Sequence, residues 1–174
     1  MDIYQAKPED YQDVLAFYYS LIDALEGLQY SPAWKKDIYP AHEDIQNAIA
    51  NGWLYYGTEN GRIAASMVLN HKYNEEEYKK AAWKVDAAPD EILVIHLLGV
   101  HRDFTGRGFA KEMVRYAFTH AQSAGMKAIR LDVLKGNLPA EKLYESLGFE
   151  YITTLPMFYE DTGWMEFELY EYRI

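Results

Sequence analysis

The chain contains no cysteine. Disulfides, thiolate metal sites and a cysteine nucleophile are thereby excluded. Cations are also scarce, with 17 Lys and Arg against 27 Asp and Glu and a formal charge of −10. A nucleic-acid binder would show a basic footprint, so that class is set aside, and the acidic balance leans toward cationic ligands such as amines. No apolar run reaches membrane-spanning length, and the first ten residues hold acids and Pro8 where a secretory segment would be apolar. Neither a membrane helix nor a signal peptide is expected, and a cytoplasmic location is the default. Internal repeats, low-complexity tracts and linkers are missing too, so residues 1–174 are read as one domain. With 49% hydrophobic and 25% charged residues it can build a core. The histidines His42, His71, His96, His101 and His120 are too scattered for an obvious ligand set, and no metal is expected.

What the sequence does have is one conspicuous stretch. Ile92 to Val100 is a continuous apolar run broken only by His96, and it feeds His101-Arg-Asp-Phe-Thr-Gly-Arg-Gly-Phe-Ala110. Phe109, Met113, Ala117 and Ala121 then recur at helical spacing, and Gly125 sits where a C-terminal cap belongs. Thr105 to Ala110 is therefore a helix N-terminus. Its first N–H groups lack intrahelical partners, the macrodipole is positive there, and Gly106 and Gly108 permit close approach of a ligand. Such a strand, glycine turn and helix form a cradle for a phosphate.

Three phosphate motifs compete for these residues. A P-loop needs Gly-x-x-x-x-Gly-Lys-Ser/Thr, which the chain does not contain. A dinucleotide fingerprint needs Gly or Ala where Lys111 stands, and a tight turn where five residues separate Val100 from Gly106. The remaining pattern, Thr105-Gly-Arg-Gly-Phe-Ala110 after an apolar strand, resembles the pyrophosphate loop of the Gcn5-related N-acetyltransferase (GNAT) family, Gln/Arg-x-x-Gly-x-Gly/Ala. Thr105 stands where that family usually has Gln or Arg. A second signature follows at Asn137-Leu-Pro-Ala-Glu-Lys-Leu-Tyr-Glu-Ser-Leu-Gly-Phe149, similar to the family's Asn-x-x-Ala-x-x-x-Tyr-x-x-x-Gly-Phe. Asn137 suits a helix N-cap, Pro139 is tolerated in the first turn, and Gly148 ends the helix.

The rest of the chain reads in order. Asp2 to Ala6 is a strand, and Lys7-Pro-Glu-Asp10 opens a helix whose stripe Val14, Leu15, Tyr18, Leu21, Ile22 and Leu25 ends at Gly27. Residues 28–40 are irregular and aromatic, and a short helix covers 41–50. Trp53 to Thr58 and Ile63 to Leu69 flank Asn60-Gly61, a hairpin signal. Asn70 to Glu91 reads as a short polar helix and a Pro-containing loop. It is able to shape an acceptor pocket or a homodimer contact, with a solvated surface excursion as the default. Lys127 to Leu134 is a strand. Phe149 to Thr154 and Trp164 to Tyr172 are the last two, joined by a loop Leu155 to Gly163 that carries Met157, Phe158, Tyr159, Glu160 and Asp161.

The GNAT resemblance covers nearly the whole chain and implies an α/β (α+β) fold. Its centre is a mixed, mostly antiparallel sheet of about seven strands, splayed between the fourth and fifth and flanked by helices. It implies acetyl-CoA as co-substrate, with its amide-rich arm pairing along Leu98 and Val100. Thr105, Gly106, Arg107, Gly108, Phe109 and Ala110 would hold its pyrophosphate, and Asn137 would border the cofactor. Tyr144 stands where the family's Tyr is general acid or hydrogen-bond donor to sulfur. A primary amine of pKa roughly 10.4 is neutral about once in a thousand molecules at pH 7, so a base is expected. His96 is the candidate, with Glu91 as fallback. The run His96-Leu-Leu-Gly-Val-His-Arg-Asp-Phe104 is also similar to a segment of arylalkylamine N-acetyltransferases whose first His removes a proton. Tyr18, Tyr30 and Trp34, with Tyr19 beside them, are candidate substrate contacts. The implied activity is direct acetyl transfer to a small-molecule amine. The alternatives are a protein N-terminal or lysine acetyltransferase, or a non-catalytic acyl-CoA-binding module.

Overall fold

The structure is a computed structural model and describes residues 1–160 and 162–174. Seven strands, β1 (Asp2–Gln5), β2 (Leu54–Glu59), β3 (Arg62–Asn70), β4 (Ile92–Val100), β5 (Ala128–Leu134), β6 (Glu150–Tyr159) and β7 (Gly163–Arg173), form one sheet in the order β1-β2-β3-β4-β5-β7-β6. Helices α1 (Tyr11–Leu25), α2 (His42–Ala50), α3 (Glu75–Tyr78), α4 (Phe109–Ser123) and α5 (Leu138–Ser146) flank it. All neighbours are antiparallel except β4 and β5. That parallel pair is joined only from Ile92 to Val94 against Ala128 to Arg130. Beyond Val94 the two strands part, and the sheet opens into a V.

A bulge sharpens the split. Val68 faces His96 and Ser66 faces Gly99, so Leu97 and Leu98 together oppose Met67. Leu97 takes the extra residue's strain at φ 52°. Alternation along β4 is thereby broken: Leu93 and Ile95 pack toward α4, while Leu97 joins Val68 and the α1 core. Tyr18, fully buried on α1, pins the kink by donating to the Leu97 carbonyl at 2.9 Å, with Ser66 Oγ 3.1 Å from the same hydroxyl.

Helices cover both sides of the sheet's centre. On one, Phe109, Met113, Val114, Ala117 and Ala121 of α4 meet Leu93, Ile95, Ile129, Leu131 and Val133. Each of the larger side chains buried there contributes roughly 1.5–3 kcal/mol. On the other, Val14, Leu15, Tyr18 and Leu21 of α1 meet Ile45 and Ile49 of α2 and the strands beneath. The β2–β3 turn follows the sequence expectation, with Asn60 and Gly61 both at positive φ, 53° and 72°.

Two expectations need correction. Residues 155–159 are not loop but the second half of β6, paired from Leu155↔Phe167 to Tyr159↔Gly163. Pro156 is tolerated within it because β6 is an edge strand, where a missing N–H costs no ladder bond. Asp161, assigned to the same loop, lies outside the described residues. The excursion 71–91 is exposed along most of its length but is not a purely solvated one. Tyr78, 2% exposed, packs with Met157, Phe167 and Leu169, and Tyr73 and Trp83 close around it. A buried ion pair ties down its end, since Arg130 Nε donates to Glu171 Oε2 at 2.9 Å while Glu171 Oε1 accepts from the Lys84 and Val85 amides. No described helix is long and apolar enough to cross a membrane.

Candidate active site

The V between β4 and β5 widens into a cavity of about 1370 Å³. One end is the glycine loop. Gly106 and Gly108 adopt φ 75° and 84°, a region that costs other residues roughly 1–2 kcal/mol, and a Cβ on either would meet only open space. Gly108 ends the loop as the residue before α4, and its carbonyl accepts from the Glu112 amide at 3.1 Å. The amides from Gly106 to Lys111 have no hydrogen-bond partner among the described residues. Six N–H groups at a helix N-terminus are thus left for an anion. Thr105, Gly106, Gly108, Phe109 and Ala110 line the cavity. Thr105 Oγ1 is turned back onto the Arg102 carbonyl at 2.9 Å.

Arg107 does not line it. Its guanidinium lies 2.5 Å from Glu59 Oε1 and over the rings of Phe104 and Phe109. The cations that face the cavity are Lys111 and Lys142, which sequence reasoning did not single out, together with Lys72. Neither Lys111 nor Lys142 forms an ion pair among the described residues.

Along the floor, Leu98 and Val100 line the cavity on a strand edge that no residue of β5 covers. Gly99 between them is needed for packing, because a side chain there would collide with Leu21. Asn137 also borders the cavity at the N-terminus of α5, but its side chain does not cap the helix. Its main-chain carbonyl serves instead, accepting from the amides of Ala140 and Glu141.

The polar chemistry gathers at the other end, where His96, Asp132, Tyr144 and Tyr159 share the cavity wall. His96 Nε2 lies 2.8 Å from the Lys72 carbonyl and 3.1 Å from Asn70 Oδ1. A carbonyl only accepts, so Nε2 carries the proton and Nδ1 keeps its lone pair. Burial pushes the imidazole pKa below 6.5, opposed by the nearby charge of Asp132. His96 is therefore neutral at physiological pH.

Asp132, on the same sheet face as Arg130, was missed by sequence reasoning. Tyr78 donates to its Oδ2 at 2.9 Å and Tyr159 to the same oxygen at 3.3 Å. Burial raises its carboxyl pKa, while His96 and the two phenols work against the rise. The signal was an acid at a strand position where Leu131 and Val133 mark the alternate face as core, so Asp132 had to be on the opposite face. What covers that face was not readable.

Tyr144 is 6% exposed, packs edge-on against Phe149 at 5.3 Å and makes no hydrogen bond within the described chain. No fully buried side-chain oxygen among the described residues lacks a partner, so the hydroxyl opens into the cavity. Burial, then the charge of Asp132, raises its pKa above 10. The phenol keeps its proton throughout the neutral range.

Of the expected substrate contacts, Tyr30 and Trp34 line the cavity and Tyr18 does not. Tyr18 is 0% exposed and holds the β4 bulge, which corrects its assignment: a tyrosine on the core stripe of α1 was placed there by packing. Tyr19 is turned to the surface with Asp37 and His42. Glu91, the fallback base, pairs with Lys127 at 2.8 Å away from the cavity.

A family model described as the acetyltransferase (GNAT) family matches residues 18–149, and the chain belongs to that family. Among curated relatives, a [ribosomal protein bS18]-alanine N-acetyltransferase of Haemophilus ducreyi is 32% identical over 91 residues, 52% of this chain and 62% of that one. A mycothiol acetyltransferase of Corynebacterium glutamicum is 32% identical over 77 residues, 44% of this chain and 26% of that one. The chain thus spans under two thirds of the length of both. A crystal structure of a GNAT-family acetyltransferase from Streptococcus agalactiae superposes with a TM-score of 0.81 at 22% identity, over 99% of this chain and 95% of that one.

Proposed function

We propose that residues 1–174 form one cytoplasmic acetyltransferase domain that moves an acetyl group from acetyl-CoA directly to the primary amine of a small molecule. One observation carries the reading: a single cavity joins the unpaired amides of Gly106 to Lys111 with the neutral His96 and the protonated Tyr144. The first is a receptor for a diphosphate and the second pair is equipped for proton transfer. The residues fit the cofactor because those amides lack partners among the described residues and both glycine positions open onto empty space. Acetyl-CoA, when bound, supplies an activated thioester whose thiolate is a competent leaving group.

The chain's own residues would divide the work as follows. The amides of Gly106 to Lys111 bind the diphosphate, with Lys111 and Lys142 adding positive charge. The open edge at Leu98 and Val100 orients the amide-rich arm by strand-like pairing. His96 Nδ1 takes the proton that the amine nitrogen gives up, directly or through one water. Tyr144 donates a hydrogen bond where the thiolate charge develops, and burial makes that bond stronger than it would be in water. Titration calorimetry with acetyl-CoA should show saturable heat, and an assay of CoA release should show turnover with amines. Tyr144→Phe should lower kcat by roughly 10–100-fold and leave the affinity for CoA in place. No heat and no release would overturn the proposal.

A second reading takes a peptide N-terminus as the acceptor, and the Haemophilus relative supports it by name. Peptide substrates in the same release assay decide between them.

A further inference from the structure

The excursion 71–91 is the part of the chain that acyl transfer alone gives no task. Its strongest contact with the cavity is the Tyr78 hydroxyl on Asp132 Oδ2 at 2.9 Å, joined at that oxygen by Tyr159. Both phenols converge on one oxygen, and Oδ1 has no hydrogen-bond partner among the described residues. Since no fully buried side-chain oxygen is left unpartnered, Oδ1 faces the cavity that Asp132 lines. An open carboxylate oxygen in an enclosed site is a receptor for a cation, because an ammonium supplies both the charge and the donor that burial withholds.

The surroundings say what that cation is attached to. Tyr30, Trp34, Tyr73 and the half-exposed Phe158 line the same cavity, so an apolar or aromatic body would be covered by rings. An anion finds little there. The Lys72 ammonium sits over the Trp53 ring at 4.9 Å, Arg130 is committed to Glu171, and Lys111 and Lys142 belong to α4 and α5. A carboxylate beside the amine would meet Asp132 with like charge, while Lys72, which lines the cavity, is held over a ring, a means of rejection as well as of choice.

We propose that Asp132, held by Tyr78 and Tyr159, recognises the acceptor as a protonated aryl- or alkylamine without an adjacent carboxylate. The inference rests on the acyl-transfer reading above. The bound ammonium gives one proton to His96 Nδ1 and its freed lone pair attacks the thioester carbonyl; as the C–N bond forms and the C–S bond breaks, the second nitrogen proton ends on the departing sulfur. Tyr78 is a positioning residue, acting through Asp132.

The test compares 2-phenylethylamine with phenylalanine, which adds the carboxylate, and with ethanolamine, which removes the apolar body. CoA release is read at saturating acetyl-CoA, and acetyl-CoA affinity is measured separately by calorimetry. The expected kcat/KM for 2-phenylethylamine exceeds each of the others by roughly tenfold or more. Asp132→Asn should raise the KM for the amine by roughly 10–100-fold with unchanged affinity for acetyl-CoA. Tyr78→Phe should raise that KM by about three- to tenfold and leave kcat in place, a split that general loss of stability would not give. Equal or better turnover of phenylalanine, or an amine KM untouched by Asp132→Asn, would overturn the inference alone. Absence of acetyl-CoA binding would overturn both it and the acyl-transfer reading.

Discussion

At the glycine-loop end of the cavity the working groups are main-chain amides, set in one unbroken segment that runs from β4 into α4. At the Asp132 end they are side chains from β4, β5, α5, β6 and the excursion, with the phenols that hold Asp132 54 and 27 positions away from it. The first end needs little from the rest of the fold beyond a strand to launch it. The second exists only when five parts of the chain have been assembled. The two ends should therefore fail differently, one by local backbone change and the other by long-range loss of packing or by a change of protonation.

The protonation route gives the largest expected effect. Removing a positioned base costs about 10²–10⁴-fold in rate, and His96→Gln should reduce kcat/KM within that range while calorimetry still shows acetyl-CoA binding. Its pH profile sharpens the point. Burial disfavours the imidazolium, so the pKa of His96 lies below 6.5 and the base is already unprotonated at neutral pH. Activity should hold as pH falls from 7.5 and decline only below 6.5, as His96 takes up its proton. His96→Gln should abolish that acid limb. A wild-type limb centred above 6.5, or one that survives in the variant, would assign the base elsewhere.

Long-range assembly is tested next by Arg130→Leu. Arg130 and Glu171 are both nearly sealed from water, and Glu171 also holds the main chain at Lys84 and Val85. Removing one partner of such a pair costs about 3–5 kcal/mol, because the carboxylate is left buried and uncompensated. Urea denaturation should show that loss. Among molecules still folded, the amine KM should rise more than the KM for acetyl-CoA, since the excursion and its Tyr78 are anchored through Glu171. Equal shifts in the two would mean that the excursion does not serve the Asp132 end in particular.

The same contrast explains what could be read before folding was known. Gly106 and Gly108 announce themselves because a helix that starts on glycines after an apolar strand has few explanations, and all its parts lie next to one another. The splayed sheet was implied by the resemblance to the GNAT family, whose order of elements the chain shares. Tyr78 was illegible because a polar run of Glu75, Glu76 and Glu77 hides a residue whose burial is decided by Met157, Phe167 and Leu169 on distant strands. Tyr18 was misjudged for the opposite reason: an aromatic beside a site looks functional until the carbonyl it serves, that of Leu97, is seen to belong to a bulge. The second half of β6 was read as loop because its pairing with β7 at the sheet's edge is a fact about sheet order and not about residues 150–159.

A local change at the glycine loop should have a more modest effect, confined to one ligand. Gly108→Val places a β-branched residue at φ 84°, where Cβ sterics oppose it, and points the new side chain into the space before the free amides. Affinity for acetyl-CoA should drop by roughly 10–100-fold, equivalent to about 1.4–2.8 kcal/mol, with little change in the amine KM at saturating acetyl-CoA. Calorimetry on the variant reads the first and steady-state kinetics the second.

The smallest effect should come from the residue that composition made most attractive. Arg107 sits between the two glycines, yet it does not line the cavity, and its guanidinium is paired with Glu59 and stacked over the rings of Phe104 and Phe109. Lys111 has no such commitment and faces the cavity. If the glycine-loop end works through amides and Lys111, Arg107→Gln should shift acetyl-CoA affinity by less than about threefold, within the range of an exposed ion pair. Lys111→Gln should weaken it by about three- to tenfold and flatten its dependence on salt, because a phosphate contact is screened as ionic strength rises. The reverse ranking would show that Arg107 leaves Glu59 when the diphosphate arrives, and that this end, like the other, depends on a side chain the folded chain has first to release.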